Sequence, residues 1–413
     1  MSEIKSNRPL LALAIGAFGI GVTEFAPMGM LPVIARGVDV SIPSAGLLVS
    51  AYAIGVMIGA PVMTLLLSRF GKRTALIVLM SIFTVGNVVS AVAPDFWSLL
   101  IARSVTSLNH GAFFGLGAVV AASLANPGKQ ATAVATMFMG LTIANIGGVP
   151  AATWIGQQFG WRQVFAITAI FGVITMVGLA AALPKGGSGQ RLDVLAELKV
   201  MTRPDVVLPM LTTVLGASAM FVLYTYISSI LHSQMGASDG FVTLALVLIG
   251  VGFTIGNWIG GRAADWSLIG SATIFLALLS IVMLLFPFLL GSRAGVGVAL
   301  VVWGIAAFAI VSPLQTRVMQ AAADAPGLAS SINIGAFNLG NAIGAGIGGA
   351  VISAGANEAL VPVAGGLTAL IALASVHFGR FFPNSGDADS LVKTHHREVA
   401  HHEVPVPVNN HTR

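Results

Sequence analysis

The sequence predicts an all-α membrane protein with twelve transmembrane helices in two pseudo-symmetric six-helix bundles. Hydrophobic residues make up 56% of the chain and charged residues 8%, with a mean hydropathy of +0.91. Soluble domains carry about 25% charged residues, so this chain has too few to clothe a water-facing surface. Uncharged runs long enough to cross a bilayer recur from end to end. They lack the period-two alternation of a membrane barrel.

Turn residues and charges divide the apolar sequence into spans at 9–32, 44–67, 74–93, 97–124, 130–156, 162–183, 206–231, 240–261, 269–290, 295–316, 327–354 and 358–382. The first run is too long for the apolar core of a signal peptide and reads as the first span. An even number of spans puts both termini on one side. Of the 20 Lys and Arg residues, only Arg36, Arg162 and Arg293 fall on the other side, and Arg103 lies inside a span. The positive-inside rule therefore predicts cytoplasmic termini. That accounts for the net charge of +5 without a nucleic-acid partner. There are no cysteines, hence no disulfide, thiol nucleophile or thiolate metal site.

The longest inner connection, 184–205, splits the spans six and six, giving bundles at 1–183 and 206–382 and a solvated, disordered tail at 383–413. Within the linker, DVLAELKVM is readable as a surface helix or as an unstructured connector. The halves resemble each other. GLTIANIGGVPAATWIG follows an ANPGKQ turn, and GAFNLGNAIGAGIGGAV follows an ADAPGLAS turn, with Pro127 and Pro326 at matching places. A duplicated six-helix unit with its site between the halves is an architecture of secondary transporters.

The intramembrane ionisable residues are Glu24, Arg103, His110 and, near the inner end of the last span, His377. A charge at a helix centre is expensive, roughly 2.5–3.5 kcal/mol on insertion scales, and normally faces a partner or a water-filled cavity. Glu24 lies about 12 Å and Arg103 about 9 Å below the outer face at 1.5 Å per residue, so a pair is expected. His110 is two turns beyond Arg103 on nearly the same face, near mid-bilayer. Two readings of the trio stand: a structural ion pair between helices, or proton traffic, for which a histidine titrating near neutrality is suited. Proton coupling is the expectation taken here.

The second half offers neutral polar groups instead. Tyr224, Tyr226, Gln315, Asn338 and Asn341, with Asn145 from the first half, are the expected lining of a cavity for a neutral or weakly charged, partly apolar molecule. Interhelical packing is the alternative reading for each asparagine. Gly140, Gly147 and Gly148, and then Gly340, Gly344 and Gly348, have the spacing of close helix contacts. Pro150 predicts a kink.

These stretches together resemble the major facilitator superfamily, in its drug:proton antiporter branch of arabinose- and drug-efflux-like inner-membrane proteins. LLLSRFGKR (65–73) is similar to the signature inner loop, with Ser68 where many members have aspartate. GGRAADW (260–266) keeps the acid as Asp265. LLIARSVTS places Arg103 at the fourth-helix arginine, with Ser107 replacing a usual glycine. GLTIANIGGVPAATWIGQQFGWR (140–162) is similar to the fifth-helix antiporter motif, and TEF and HGAFFGLG to features of the same branch. The resemblance implies alternating access and proton-driven export. It gives Arg69, Gly71, Lys72, Arg73 and Asp265 gating roles, and places Gly140, Gly147, Gly148 and Pro150 in the antiport motif. The expected partners are a small-molecule substrate, protons and the bilayer, with a monomer as the unit and no cofactor. A symporter or an uncoupled facilitator of the same fold is the rival reading. No metal cluster, nucleophile–base pair or phosphate loop in the sequence points to an enzyme, and the His-rich tail HHREVAHH (395–402) reads as a solvated end.

Overall fold

The computed structural model describes residues 8–124, 130–184, 202–322 and 326–378. Residues 185–201 of the expected linker 184–205, the turn at Pro127, the last four residues of the expected twelfth span and the tail 383–413 lie outside them. Twelve helices among the described residues are long and apolar enough to cross a membrane, and none of these residues forms a strand. In hydrocarbon every backbone polar group needs an internal partner, which a helix supplies.

The spans are α1 (Arg8–Gly29), α2 (Ile42–Leu67), α3 (Lys72–Val92), α4 (Phe96–Ser107 and His110–Leu124), α5 (Gln130–Ile143 and Val149–Phe159, joined by a π-helical turn Ala144–Gly148) and α6 (Trp161–Ala182). The second set is α7 (Pro204–Met235), α8 (Asp239–Trp266), α9 (Leu268–Leu289), α10 (Arg293–Ala309 and Val311–Ala321), α11 (Pro326–Ser353) and α12 (Val361–Phe378). Side-chain caps fix several starts. Ser41 accepts from the Ser44 N–H, and Asp95 and Ser98 form a reciprocal capping box. Ser238, Ser267 and Ser292 cap α8, α9 and α10. Gly160 alone turns the chain from α5 into α6 at φ +99°, a conformation that favours glycine.

The two halves pack alike. In the first, α1 lies against α5 and α6, α3 against α4 and α6, and α2 against α4; in the second, α7 lies against α11 and α12, α9 against α10 and α12, and α8 against α10. Helices α4 and α10, which correspond, are both interrupted midway, at Leu108–Asn109 and at Ile310. The bundles meet through α2–α11 and α5–α8, again a symmetric pair of contacts.

Close approach depends on glycine where backbone meets backbone. Gly140 of α5 sits on the Ala14 carbonyl of α1; Gly340 and Gly344 of α11 sit on the Val214 and Ser218 carbonyls of α7. The expected seams are therefore present, although Gly147 touches nothing across a seam and Gly348 packs chiefly on the Tyr226 ring. A further seam, Gly252, Gly256 and Gly260 of α8 against the Val301, Ile305 and Ala309 carbonyls of α10, went unread in the sequence despite its four-residue spacing.

One end of the bundle carries Arg8, Arg69, Lys72 and Arg73; the bundles seal against each other toward the opposite end. There Tyr226 wedges between Gly46 of α2 and Gly348 and Gly349 of α11. Ser50 donates to the Ala342 carbonyl at 3.1 Å, and Thr243 to Gln157 at 3.4 Å.

Candidate functional site

The centre of the first half is organised by a missing hydrogen bond. Pro27 lies inside α1 and has no N–H, so the Thr23 carbonyl four residues earlier loses its helical donor. Arg103 of α4, 1% exposed, supplies the replacement from a guanidinium nitrogen at 2.7 Å. Its cationic carbon lies 4.2 Å from the centroid of the Tyr52 ring. No ion pair within 4.0 Å joins Arg103 to Glu24. The expected pair is thus replaced by a bond to the neighbouring residue's backbone, because a freed carbonyl in hydrocarbon needs a donor. Thr23 also donates from its side chain to Asn87 of α3 at 3.0 Å, and Asn87 donates to the Phe83 carbonyl at 2.9 Å. Sequence reasoning missed Asn87, a fully buried carboxamide in an apolar span.

Glu24 instead faces His110, with 3.9 Å between Oε2 and Nε2. The other ring nitrogen, Nδ1, is 3.3 Å from the Tyr52 hydroxyl. His110 opens the second segment of α4, directly after the interruption, where the Asn109 side chain donates to the Thr106 carbonyl. Glu24, Tyr52, Arg103 and Asn341 border one narrow cleft between the bundles. Two further Arg103 nitrogens are buried there without a hydrogen-bond partner.

Beside this cleft is a cavity of about 170 Å³. Its wall holds Glu24 and His110, the rings of Phe25, Phe114, Phe138, Phe308 and Phe337, and the carboxamides of Gln315, Asn333 and Asn338. The carboxamides are held in place: Asn333 donates to Gln315 at 2.5 Å, Gln315 to the Ser330 hydroxyl at 2.7 Å, and Asn338 to the Ile334 carbonyl at 2.9 Å. The cavity can stack an aromatic or apolar molecule and meet a few polar groups on it.

Three expected lining residues lie elsewhere. Tyr224 packs among Phe25, Phe221, Phe253 and Trp303. Tyr226 donates to the Ala345 carbonyl at 2.8 Å in the sealed end. Two residues apart on a helix, these tyrosines point about 200° apart, so one cavity cannot take both. Asn145 lies in the π-helical turn, its side chain bonded to the Leu141 carbonyl and its own carbonyl against Gly250 of α8. Gln315 and Asn338 are in the cavity, and Asn341 is in the adjoining cleft.

At the basic end, Arg73 donates to the Ala180 carbonyl at 2.5 Å, tying α3 to α6, and Arg69 lies by Phe70. Gly71 precedes α3 as its N-cap, and Lys72 is exposed in its first turn. Asp265 is exposed and outside ion-pair range of every described basic residue, so these loops are not brought together. Pro150 follows the π-helical turn, whose wider hydrogen bonding accommodates the missing N–H. Gly148 packs against Val22 and Phe18 of α1.

The geometry has counterparts among known proteins. A family model described as Major Facilitator Superfamily matches residues 13–345. The inner membrane transport protein YdhP of Escherichia coli K12 is 64% identical over 370 residues, 90% of this chain and 95% of that one. A chloramphenicol resistance protein of Streptomyces lividans is 32% identical over 347 residues, 81% of this chain and 87% of that one. Among solved structures, a bacterial homologue of the lysosomal transporter Spinster superposes with a TM-score of 0.72 at 16% identity, covering 92% of this chain and 98% of its own. Twelve spans in two matched bundles, together with these likenesses, establish that the chain belongs to the Major Facilitator Superfamily of membrane transporters.

Proposed function

We propose that the protein exports a small, partly apolar molecule across a bacterial inner membrane in exchange for protons. The observation that carries this reading is Glu24: a carboxylate, 7% exposed, on the wall of an aromatic cavity, with His110 as its one charge-capable partner within 4.0 Å among the described residues. A carboxylate so placed can exchange a proton with whatever the cavity admits. Protonated Glu24, with His110 beside it, favours one facing state and bound cargo the other. Such coupling requires each ligand to bind the two states differently, and it is reciprocal.

The cavity lies away from the sealed end, toward the basic residues that the positive-inside rule assigns to the cytoplasm. This is the geometry for loading cargo from the cell interior, with both termini cytoplasmic and each half, 1–183 and 206–382, moving as a unit. The relation to a chloramphenicol resistance protein supports export over import. Asn145 and Gly148 flank or form the π-helical turn of α5, next to α8 of the other half, where a rocking motion would bend the chain. Arg69, Lys72 and Arg73 would latch the basic end, with Asp265, in the opposite facing state.

The test is an everted vesicle with an imposed proton gradient and a pH-sensitive dye, challenged with pentoses, nucleosides and hydrophobic drugs. Export by exchange predicts dissipation of the gradient on addition of one class. Cargo moving in the same direction as protons would establish a symporter and overturn the proposal.

A further inference from the structure

The Tyr52–His110 contact has a chemical consequence for the exchange site. Tyr52 is 2% exposed, and its hydroxyl has one hydrogen-bond partner among the described residues, His110 Nδ1 at 3.3 Å. A buried phenol needs an acceptor for its proton. If Nδ1 carried the imidazole proton and donated to Tyr52, the Tyr52 proton would be unpaired, and the Nε2 lone pair would face the Glu24 carboxylate at 3.9 Å. The reverse assignment pairs the phenol and removes that repulsion: Tyr52 donates to Nδ1, and Nε2–H faces Glu24 across 3.9 Å, an electrostatic contact longer than a hydrogen bond.

We propose that Tyr52 is a positioning residue that fixes neutral His110 as the Nε2–H tautomer, so that the imidazole presents a proton to Glu24 while its other nitrogen is closed to protonation. Arg103 holds the Tyr52 ring in place from 4.2 Å, and is itself anchored on the Thr23 carbonyl. The Thr23 carbonyl freed by Pro27, the arginine, the phenol and the imidazole thus form one chain of contacts ending at Glu24. Among the described residues, the titratable groups in contact with His110 are Glu24 from α1 and Tyr52 from α2, and the Arg103 guanidinium of its own helix lies on the Tyr52 ring. The other walls are neutral, with Phe138 from α5, Thr213 from α7, Gln315 from α10 and Asn338 from α11. With Nδ1 closed, the exchanged proton is carried by Glu24 and not by His110, and the Nε2–H faces the carboxylate once that proton has left.

This role rests on the proton-exchange reading, but its first test is independent of transport. The full chain, labelled with 15N-histidine in lipid nanodiscs at pH 8, is recorded by NMR, with the His110 signals assigned by their loss in His110→Gln. The expected result is Nδ1 in the unprotonated range and Nε2 in the protonated range, as a single tautomer. Tyr52→Phe, which keeps the ring under Arg103, should give a mixture of tautomers. A wild-type Nδ1–H tautomer, or identical spectra in the two proteins, would overturn the proposal without touching the transport reading. In exchange assays Tyr52→Phe should lower the proton-driven rate by roughly tenfold, the scale of one lost hydrogen bond, and change its pH profile with the cargo KM unmoved. A raised KM with an unchanged pH profile would make Tyr52 a cavity-shaping residue and refute the positioning role.

Discussion

The bond from Arg103 to the Thr23 carbonyl makes a quantitative prediction, because the partner it replaces can be restored. Pro27→Ala gives position 27 an N–H that can close the helical bond to Thr23. Arg103→Met removes the guanidinium and keeps much of the bulk. In the wild-type background, Arg103→Met loses a charge-assisted hydrogen bond, about 1.5–3 kcal/mol, and a cation–π contact of about 0.5–2 kcal/mol. In the Pro27→Ala background only the second loss remains, since the carbonyl now has its own donor. The coupling between the two sites should therefore be about 1.5–3 kcal/mol, a factor of about 10 to 160 in the unfolding equilibrium. Effects of the lost charge on Glu24 occur in both backgrounds and cancel in the cycle. Reversible unfolding in mixed micelles, followed by the fluorescence of the six tryptophans, measures all four proteins. If Arg103→Met is equally damaging with and without Pro27→Ala, within about 0.5 kcal/mol, the arginine does not act as the carbonyl's substitute donor.

Other features give further expectations. Gly160→Ala forces φ near +99° on a residue with a Cβ and should destabilise the chain by about 1–3 kcal/mol in the same unfolding assay. Pro43→Cys combined with Gly349→Cys should cross-link under mild oxidation, because the Pro43 Cβ is 3.8 Å from where a Cβ on residue 349 would lie, within the range for a disulfide. The chain has no other cysteine, so the bond locks only the sealed end; exchange should stop and return on reduction, and undiminished transport by the cross-linked protein would contradict alternating access. Asp95, at the start of α4, accepts the Ser98 N–H, which holds its carboxyl below the usual 3.8. A depressed carboxyl stabilises the folded state above the ordinary value and loses that contribution as pH falls through the folded one. Asp95→Asn should therefore flatten the acid limb of stability below about pH 4 and leave neutral-pH transport unchanged.

The twelve spans were legible because hydrocarbon demands long apolar helices, and the span ends were blurred in both directions: α7 runs past the expected 231 to Met235, and α1 stops at Gly29 before the expected 32. The site was legible in its parts and not in its pairing. Glu24 and His110 stood out as ionisable residues in apolar runs, and the structure brings them together. Arg103 was read as Glu24's partner because depth alone was available. Pro27 was visible in the sequence, but its meaning needed the knowledge that α4 crosses α1 at Thr23. Tyr224 and Tyr226 were placed together by adjacency, whereas helical geometry sends one to an aromatic cluster and the other to the sealed end. Tyr52 and Asn87 carried no signal, since one tyrosine and one asparagine in apolar spans resemble any interhelical contact.

The central claim is that Glu24 carries the exchanged proton, and the most direct measurement separates proton coupling from cargo movement. Once a cargo is identified, Glu24→Gln is reconstituted in liposomes and assayed twice: for accumulation driven by a pH gradient, and for counterflow of labelled against unlabelled cargo at uniform pH. The account predicts that gradient-driven accumulation is abolished while counterflow persists, because a carboxamide still shapes the cavity but takes up no proton. Accumulation at the wild-type level in Glu24→Gln would contradict it.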